Sequence, residues 1–210
     1  MNKPEEIIFL IDDDSSIRRS ISLFLTATNY HVETYCSSEE YLARDRFEGT
    51  GCILLDVNLD GKSGFDLQNE LISQDSLLPI IFITGFGNIP MSVQALKQGA
   101  LNFLEKPFKE EELLHSISEG LAISRKLFAE HDEIEKARNL IGRLSPRENE
   151  ILKYLLTGML NKQIAGELDI AENTVKNHRQ SICEKLEVKS VPEILRIADK
   201  AAIILSSVRE

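Results

Sequence analysis

The chain has 210 residues, of which 42% are hydrophobic and 28% are charged, with 11 glycines, 6 prolines and a formal net charge of −10. This composition excludes collagen-like and low-complexity chains and predicts one or two globular domains. No apolar run approaches the roughly 18 residues that a membrane span needs, and the first residues lack the apolar stretch of a secretion signal. We therefore expect a cytoplasmic protein with no membrane partner.

The charge is unevenly distributed along the chain. Residues 1–120 carry 9 basic and 20 acidic side chains, whereas residues 144–210 carry 10 of each. Because phosphate contacts need local positive charge, only the C-terminal part is a candidate for nucleic-acid binding. The cysteines, Cys36, Cys52 and Cys183, have no CxxC spacing, so neither a disulfide framework nor a zinc site is indicated.

Short apolar runs alternate with amphipathic segments over the first 108 residues. Residues 7–11, 52–55 and 80–83 are apolar throughout, as is typical of strands buried on both faces, and 31–35 and 101–104 are weaker strand patterns. Helical periodicity occupies residues 16–28, 38–47, 64–74, 89–98 and 109–124. This alternation predicts an α/β domain with a doubly wound, five-stranded parallel sheet.

The rest of the chain is predicted to be helical. Residues 121–143 read as a helical linker, and their partly heptad-like apolar spacing is compatible with either a solvated connector or a short two-chain coil. From residue 144 we expect four short helices, two of them opened by the capping-box spacings Ser145 to Glu148 and Ser190 to Glu193. The predicted domains are residues 1–122, a linker at 123–143, and an all-α domain at 144–210.

Polar side chains follow four strands of the predicted sheet. Acidic residues come after the first and third strands, and a hydroxyl and an amine follow the fourth and fifth: Asp12, Asp13, Asp14, Asp56, Thr84 and Lys106. Because the carboxyl ends of parallel strands share one edge, we expect these side chains to lie together. Carboxylates gathered in this way repel one another unless a hard cation neutralises them, and Mg²⁺ is the natural occupant.

This set of side chains favours phosphoryl-transfer chemistry. Lys106, Thr84 and Mg²⁺ together offer positive charge and a hydroxyl for the oxygens of a transferring phosphoryl group. Asp56 is the natural nucleophile, because a carboxylate can form an acyl phosphate. Phosphatases of the haloacid-dehalogenase type are an alternative, but they need an acid two residues after the nucleophile, where this chain has Asn58.

Residues 6–122 resemble the receiver domain of two-component response regulators in four motifs: Asp12-Asp13, Asp56, Thr84-Gly85 and Lys106-Pro107-Phe108. The resemblance implies that a sensor histidine kinase phosphorylates Asp56. It further implies that the receiver catalyses only its own phosphorylation and dephosphorylation, so that the protein is not otherwise an enzyme.

The same resemblance assigns the remaining residues of this site. Mg²⁺ would be bound by Asp13, by Asp56, by Asp12 through water and by the backbone carbonyl of Asn58. Lys106 would precede a cis peptide bond, and Thr84 and Phe103 would form a switch pair. Where the family often has proline four residues after the acceptor, this chain has Asp60.

The predicted helix at residues 172–186 has two distinct faces. Val175, Ile182 and Leu186 share an apolar stripe, whereas polar residues that can contact bases or phosphates project elsewhere. Residues 144–205 resemble the LuxR-type helix-turn-helix domain in motifs that include Leu144-Ser145-Pro146-Arg147-Glu148 and Asn161-Lys162-Gln163-Ile164-Ala165. The helix before the turn would be about 161–168. Ala171 departs from the Ser or Thr that often precedes the recognition helix.

By this resemblance, Lys176, Asn177 and Gln180 face bases. The implied contacts to the DNA backbone are Asn161, Lys162, Thr174, His178 and Arg179. His178 is equally compatible with a packed neutral imidazole.

Together the two resemblances are those of the NarL/FixJ family of response regulators, with FixJ-like members most similar. They imply a transcription regulator that pairs through residues 88–120 when phosphorylated, binds promoter DNA and contacts RNA polymerase. A receiver-bearing adaptor whose helical tail binds protein is the alternative.

Overall fold

The computed structural model describes residues 6–85 and 89–201. The ends of the two predicted domains, residues 1–5 and 202–210, lie outside this range, as does Asn88 at the start of the predicted pairing surface. The chain divides into two units, Met1–Ala129 and Glu130–Glu210. None of the described helices is both long enough and apolar enough to cross a membrane.

The first unit has the predicted alternation of strands and helices. Its elements are β1 (Ile7–Ile11), α1 (Ser15–Ala27), β2 (His31–Tyr35), α2 (Ser38–Leu42), β3 (Gly51–Asp56), α3 (Gly64–Ser73), β4 (Ile80–Thr84), α4 (Ile89–Lys97), β5 (Asn102–Glu105) and the start of α5 (Glu110–Gly142). The strands pair in parallel in the order β2-β1-β3-β4-β5. The doubly wound, five-stranded parallel sheet predicted from the sequence is confirmed, and its strand order is that of the flavodoxin-like fold.

Two apolar clusters lie on opposite faces of this sheet. Ile8 and Leu10 of β1 pack in one cluster with side chains of α1 and α5. Phe9 and Ile11 point to the other face, where they pack with side chains of α2, α3 and α4. Because side chains alternate along a strand, an uninterrupted apolar strand fills both clusters, which explains the uniform apolar runs.

Helix α2 is shorter than the predicted 38–47, because its C-cap is Ala43. The chain then leaves the helix, and the ring of Phe47 packs edge-on against Phe9 with centroids 5.2 Å apart. Burial of an aromatic ring contributes more to stability than one further turn of a short helix does. Tertiary packing of Phe47 therefore ends α2 early.

The predicted fifth helix and the predicted linker form one continuous helix, α5. Leu113, Ile117 and Leu121 pack against the sheet, and Ala137 and Ile141 belong to the core of the second unit. Ser124, which interrupts the apolar stripe, is buried and its hydroxyl accepts a hydrogen bond from the Gly51 N–H at 3.0 Å.

The second unit is helical, with α6 (Pro146–Leu156), α7 (Asn161–Glu167), α8 (Glu172–Lys185) and α9 (Val191–Lys200) after α5. The capping box at Ser145 and Glu148 forms as predicted. The box predicted at Ser190 does not form: the Ser190 hydroxyl donates to Glu193 Oε1 at 2.6 Å and caps no backbone N–H. Glu193 instead accepts from the Lys189 N–H, one residue before the cap.

Candidate functional site

The strand ends bring together three charged side chains that are distant in the sequence. Asp12 follows β1, Asp56 is the last residue of β3, and Lys106 follows β5. The Lys106 Nζ lies 2.6 Å from Asp12 Oδ2 and 2.7 Å from Asp56 Oδ1. A single ammonium therefore bridges two carboxylates at the C-terminal edge of the sheet.

Backbone amides hold the other oxygen of each carboxylate. Asp12 Oδ1 accepts from the Asp14 N–H at 2.9 Å, and Asp56 Oδ2 accepts from the Asn58 N–H at 2.7 Å. Arg18 adds a contact that the sequence did not predict, because its Nη1 donates to the Asp12 carbonyl oxygen at 2.5 Å. The acids of the site are thus oriented before any ligand arrives.

Burial and charge act in opposite directions on the pKa values of this group. Burial raises the pKa of Asp56 above its usual value, although the hydrogen bond from Lys106 opposes this shift. Burial would lower the pKa of Lys106, but its bonds to Asp12 and Asp56 outweigh burial and raise it. Lys106 therefore stays protonated across the physiological range.

Thr84 and Phe103 lie on the adjacent strands β4 and β5. Thr84 ends β4 and is fully buried, and its Oγ1 accepts from Asn58 Nδ2 at 3.5 Å. Phe103 is half-buried on β5, where it is in register with Phe82 of β4. The Lys106–Pro107 peptide bond is cis.

Carboxylate and carbonyl oxygens such as those of Asp13, Asp56 and Asn58 are the hard ligands that Mg²⁺ prefers. Asp13 is exposed and makes no hydrogen bond or ion pair with a described residue. Within residues 6–85 and 89–201, no three His, Cys, Asp or Glu side chains form a metal-binding group. Mg²⁺ needs only one or two carboxylates because it retains several waters, so Asp13, Asp56 and a backbone carbonyl suit it chemically.

The third acid after β1 has a structural role. Asp14 is the N-cap of α1, and its Oδ1 accepts from the N–H groups of Ser16 and Ile17 at 2.8 and 3.3 Å. The Ser16 hydroxyl also bonds to Asp14 and lowers the pKa of its carboxyl group. Asp is a common N-cap residue, and Asp14 stands just before the predicted first helix. The capping role of Asp14 could therefore have been predicted from the sequence.

A second candidate surface lies on α7 and α8, which match the predicted helices 161–168 and 172–186 within two residues. Val175 and Ile182 of α8 are fully buried in the core of the second unit. The predicted base-facing residues Lys176, Asn177 and Gln180 are exposed. The predicted backbone contacts differ in exposure: Lys162 is exposed, and Asn161, Thr174, His178 and Arg179 are half-buried.

Two contacts in this unit were not predicted. Arg179 Nη1 donates to Asn161 Oδ1, so two residues assigned separately to DNA bond to each other. Glu148 is 4% exposed, and its carboxylate accepts from the Ser145 N–H, from Ser181 Oγ and from Lys185 Nζ at 2.6 to 2.7 Å. The bonds from Ser181 and Lys185 to Glu148 and the bond from Arg179 to Asn161 join different helices, which sequence spacing does not reveal. The Ser145 bond, in contrast, belongs to the predicted capping box.

Known proteins share both halves of the chain. Residues 8–118 match the family model "Response regulator receiver domain", and residues 142–198 match "Bacterial regulatory proteins, luxR family". The response regulator protein TmoT of Ectopseudomonas mendocina is 38% identical over 95% of this chain and 91% of its own length. The transcriptional regulatory protein FixJ of Bradyrhizobium diazoefficiens is 31% identical over 94% of this chain and 96% of its own.

A solved structure agrees with these matches. The response regulator StyR is 39% identical, with a TM-score of 0.83 over 93% of this chain and 99% of its own. The chain therefore belongs to the FixJ-like response regulators, a family of phosphorylation-dependent transcription regulators that join a receiver domain to a LuxR-type DNA-binding domain.

Proposed function

We propose that Asp56 is the phosphoryl acceptor and that a sensor histidine kinase is the donor. The observation that carries this assignment is the Lys106 ammonium 2.7 Å from Asp56 Oδ1. An acyl phosphate carries close to two negative charges where the free carboxylate carried one, and a protonated lysine in contact with it stabilises that charge. Asp56 ends β3 at the rim of the sheet, which is where ligands of such sheets bind.

The residues around Asp56 divide the remaining tasks. Asp13, Asp56 and the carbonyl of Asn58 would hold Mg²⁺, with Asp12 acting through water. When bound, Mg²⁺ supplies positive charge for the phosphoryl oxygens. Asn58 replaces the acid that a haloacid-dehalogenase-type phosphatase needs, so the receiver acts catalytically only on its own phosphorylation and dephosphorylation.

Thr84 and Phe103 form the proposed switch, with the Thr84 hydroxyl moving to the phosphoryl group and the Phe103 ring turning inward. The surface that responds is expected on α4, β5 and α5. In support, Ile89, Val93 and Leu96 of α4 are 80%, 43% and 48% exposed and lie at helical spacing on one face. Exposed apolar surface of this kind fits a homodimer of phosphorylated receivers.

The DNA-binding domain is the output of this switch. Lys176, Asn177 and Gln180 are the proposed base contacts, and their exposure on α8 opposite the buried Val175 supports this assignment. The proposed backbone contacts are Asn161, Lys162, Thr174, His178 and Arg179. The same proposal includes RNA polymerase as a partner and a cytoplasmic location. It also includes a receiver domain that ends at residue 122 and a DNA-binding domain that begins at residue 144.

Replacement of Asp56 tests this function. With acetyl phosphate and Mg²⁺, we expect the wild-type chain to gain a labile adduct of about 80 Da by mass spectrometry and to bind DNA more tightly. Asp56→Asn should show neither effect, and Asp60→Asn, which alters an exposed acid of the same loop, should retain both. An adduct that persists in Asp56→Asn would disprove the assignment.

A further inference from the structure

Asn161 and Arg179 form a pair across the turn between α7 and α8. Asn161 is the first residue of α7, and its Oδ1 accepts a hydrogen bond from Nη1 of Arg179 in the middle of α8. Both residues are half-buried, whereas the neighbouring Lys162 and Lys176 are exposed. The bond therefore limits where the Arg179 guanidinium lies before DNA is present.

The partner of Arg179 is neutral, unlike the partners of two other cations in this unit. Arg147 pairs with Glu150 at 2.5 Å and Lys185 pairs with Glu148 at 2.6 Å, so those charges are matched inside the protein. In the described part of the chain, no carboxylate pairs with Arg179. Its positive charge is thus held in place without being neutralised.

The Arg179 guanidinium can bind a second acceptor while it stays bonded to Asn161. The group carries five N–H donors in a planar fork, and the bond to Asn161 engages an Nη1 donor, which leaves donors on Nη2 and Nε for another acceptor. An arginine that is held before binding loses less rotamer entropy when it meets a phosphate. The Asn161 Oδ1, in turn, is already engaged by the protein.

We propose that Asn161 is a positioning residue that presents Arg179 to a DNA phosphate, and that Arg179, not Asn161, makes the contact. The inference rests on the proposed placement of α8 on DNA. It changes the assignment of Asn161 from an independent backbone contact to a support for Arg179. The two side chains should therefore act as one unit in DNA binding.

This inference predicts different effects for the two residues. Arg179→Ala removes a charge from the DNA surface, so the slope of log K against log salt should become shallower by about 0.9. Asn161→Ala leaves that charge and should weaken binding about three- to tenfold with an unchanged slope. In the Arg179→Ala background, Asn161→Ala should have no further effect.

A double-mutant cycle on the full-length chain tests the proposal. The probe is a fluorescent duplex carrying the sequence that the wild-type chain, treated with acetyl phosphate and Mg²⁺, enriches from a random pool. Anisotropy titrations at several KCl concentrations give affinity and slope for Asn161→Ala, Arg179→Ala and the double variant. Lys162→Ala combined with Asn161→Ala is the control cycle, and its losses should be additive because Lys162 is exposed and lies outside the pair.

The possible results separate this inference from the proposed function. Coupled losses for Asn161 and Arg179 with an unchanged slope for Asn161→Ala support the inference. Additive losses would overturn it and give Asn161 its own DNA contact. A wild-type chain that enriches no sequence would contradict the proposed DNA-binding function itself. If Asn161→Ala unfolds the domain, Asn161→Ser, too short to reach the guanidinium, takes its place in the same cycle.

Discussion

Lys106 is the residue on which the receiver site depends. Its ammonium contacts both Asp12 and Asp56, and its side chain is only 15% exposed. Two neighbouring carboxylates would repel each other without that charge. Since its own pKa is raised, Lys106 would remain protonated on the proposed phosphorylation of Asp56, which adds further negative charge. The same contact therefore offsets the repulsion between the two carboxylates and suits the proposed phosphorylation of Asp56.

Glu148 provides a test of buried electrostatics in the DNA-binding unit. Burial would raise its pKa, but hydrogen bonds from Lys185, Ser181 and Ser145 lower it from 4.5 to about 2. A carboxylate with a lowered pKa in the folded state adds stability above pH 4.5, and this stability is lost as the pH falls towards 2. We expect Glu148→Gln to lower the free energy of unfolding of this unit by about 2–3 kcal/mol at pH 7.

Hydrogen exchange of the intact protein, measured in urea series at pH 7, 5 and 3, gives the free energy of unfolding of this unit. The exchange is read by mass spectrometry in the peptide fragments that cover α6 and α8. The difference between wild type and Glu148→Gln should shrink between pH 5 and pH 3. Glu150→Gln is the matched control, because its exposed pair with Arg147 contributes at most about 0.5 kcal/mol. A pH-independent difference for Glu148→Gln would refute the electrostatic explanation.

Among individual residues, those that cluster at the ends of the strands could be predicted from the sequence. Asp12, Asp56 and Lys106 were found because uniform apolar runs identify parallel strands, and the carboxyl ends of such strands meet at one edge. The bond from Arg18 to the Asp12 carbonyl was not predicted, because it depends on the rotamer of a surface side chain. The Asn161 to Arg179 bond depends on how two helices cross, which residue spacing does not specify.

Some helix ends were predicted from neighbouring residues in the sequence, whereas others depend on contacts that the sequence pattern does not show. The capping box at Ser145 formed because its partners lie three residues apart and need no other element. The box at Ser190 did not form, since Glu193 bonds to the Lys189 N–H. Helix α2 ended early because Phe47 packs on Phe9. Local patterns thus predicted where helices exist more reliably than where they end.

Helix α8, the proposed recognition helix, begins without a side-chain cap, which allows a direct test. Ala171 is its N-cap in extended conformation and makes no side-chain cap bond. A serine hydroxyl there can accept from an N–H of the first turn that has no helical partner. We expect Ala171→Ser to stabilise the second unit by about 1 kcal/mol, measured by the same exchange method.

Ala171→Val is the control for this substitution, because it changes the same position without adding an acceptor. It should give no stabilisation. An equal gain for Val and Ser would show that the effect comes from surface packing and not from capping.

The whole molecule combines an acidic receiver with a DNA-binding domain of balanced charge. Residues 144–210 carry 10 basic and 10 acidic side chains, and several of the basic ones are paired internally. One such domain has few charges left for phosphates and should bind a half-site weakly. In the proposed homodimer, pairing of two receivers would link two DNA-binding domains and raise the effective concentration of the second at its half-site.

This argument predicts that binding depends on the spacing of the half-sites. Two linked domains can bind together only when both half-sites face the same side of the duplex, about one helical turn apart. An insertion of about 5 base pairs, half a turn, should weaken binding of the phosphorylated chain at least about tenfold, and about 10 base pairs should restore much of it. Anisotropy titrations on a set of duplexes measure this dependence. Asp56→Asn, which stays unpaired in this proposal, should bind all spacings with equal, weak affinity. The prediction is wrong if the affinity of the phosphorylated wild type does not change with the spacing of the half-sites. The DNA-binding domains would then bind independently, and phosphorylation would not strengthen DNA binding through receiver pairing.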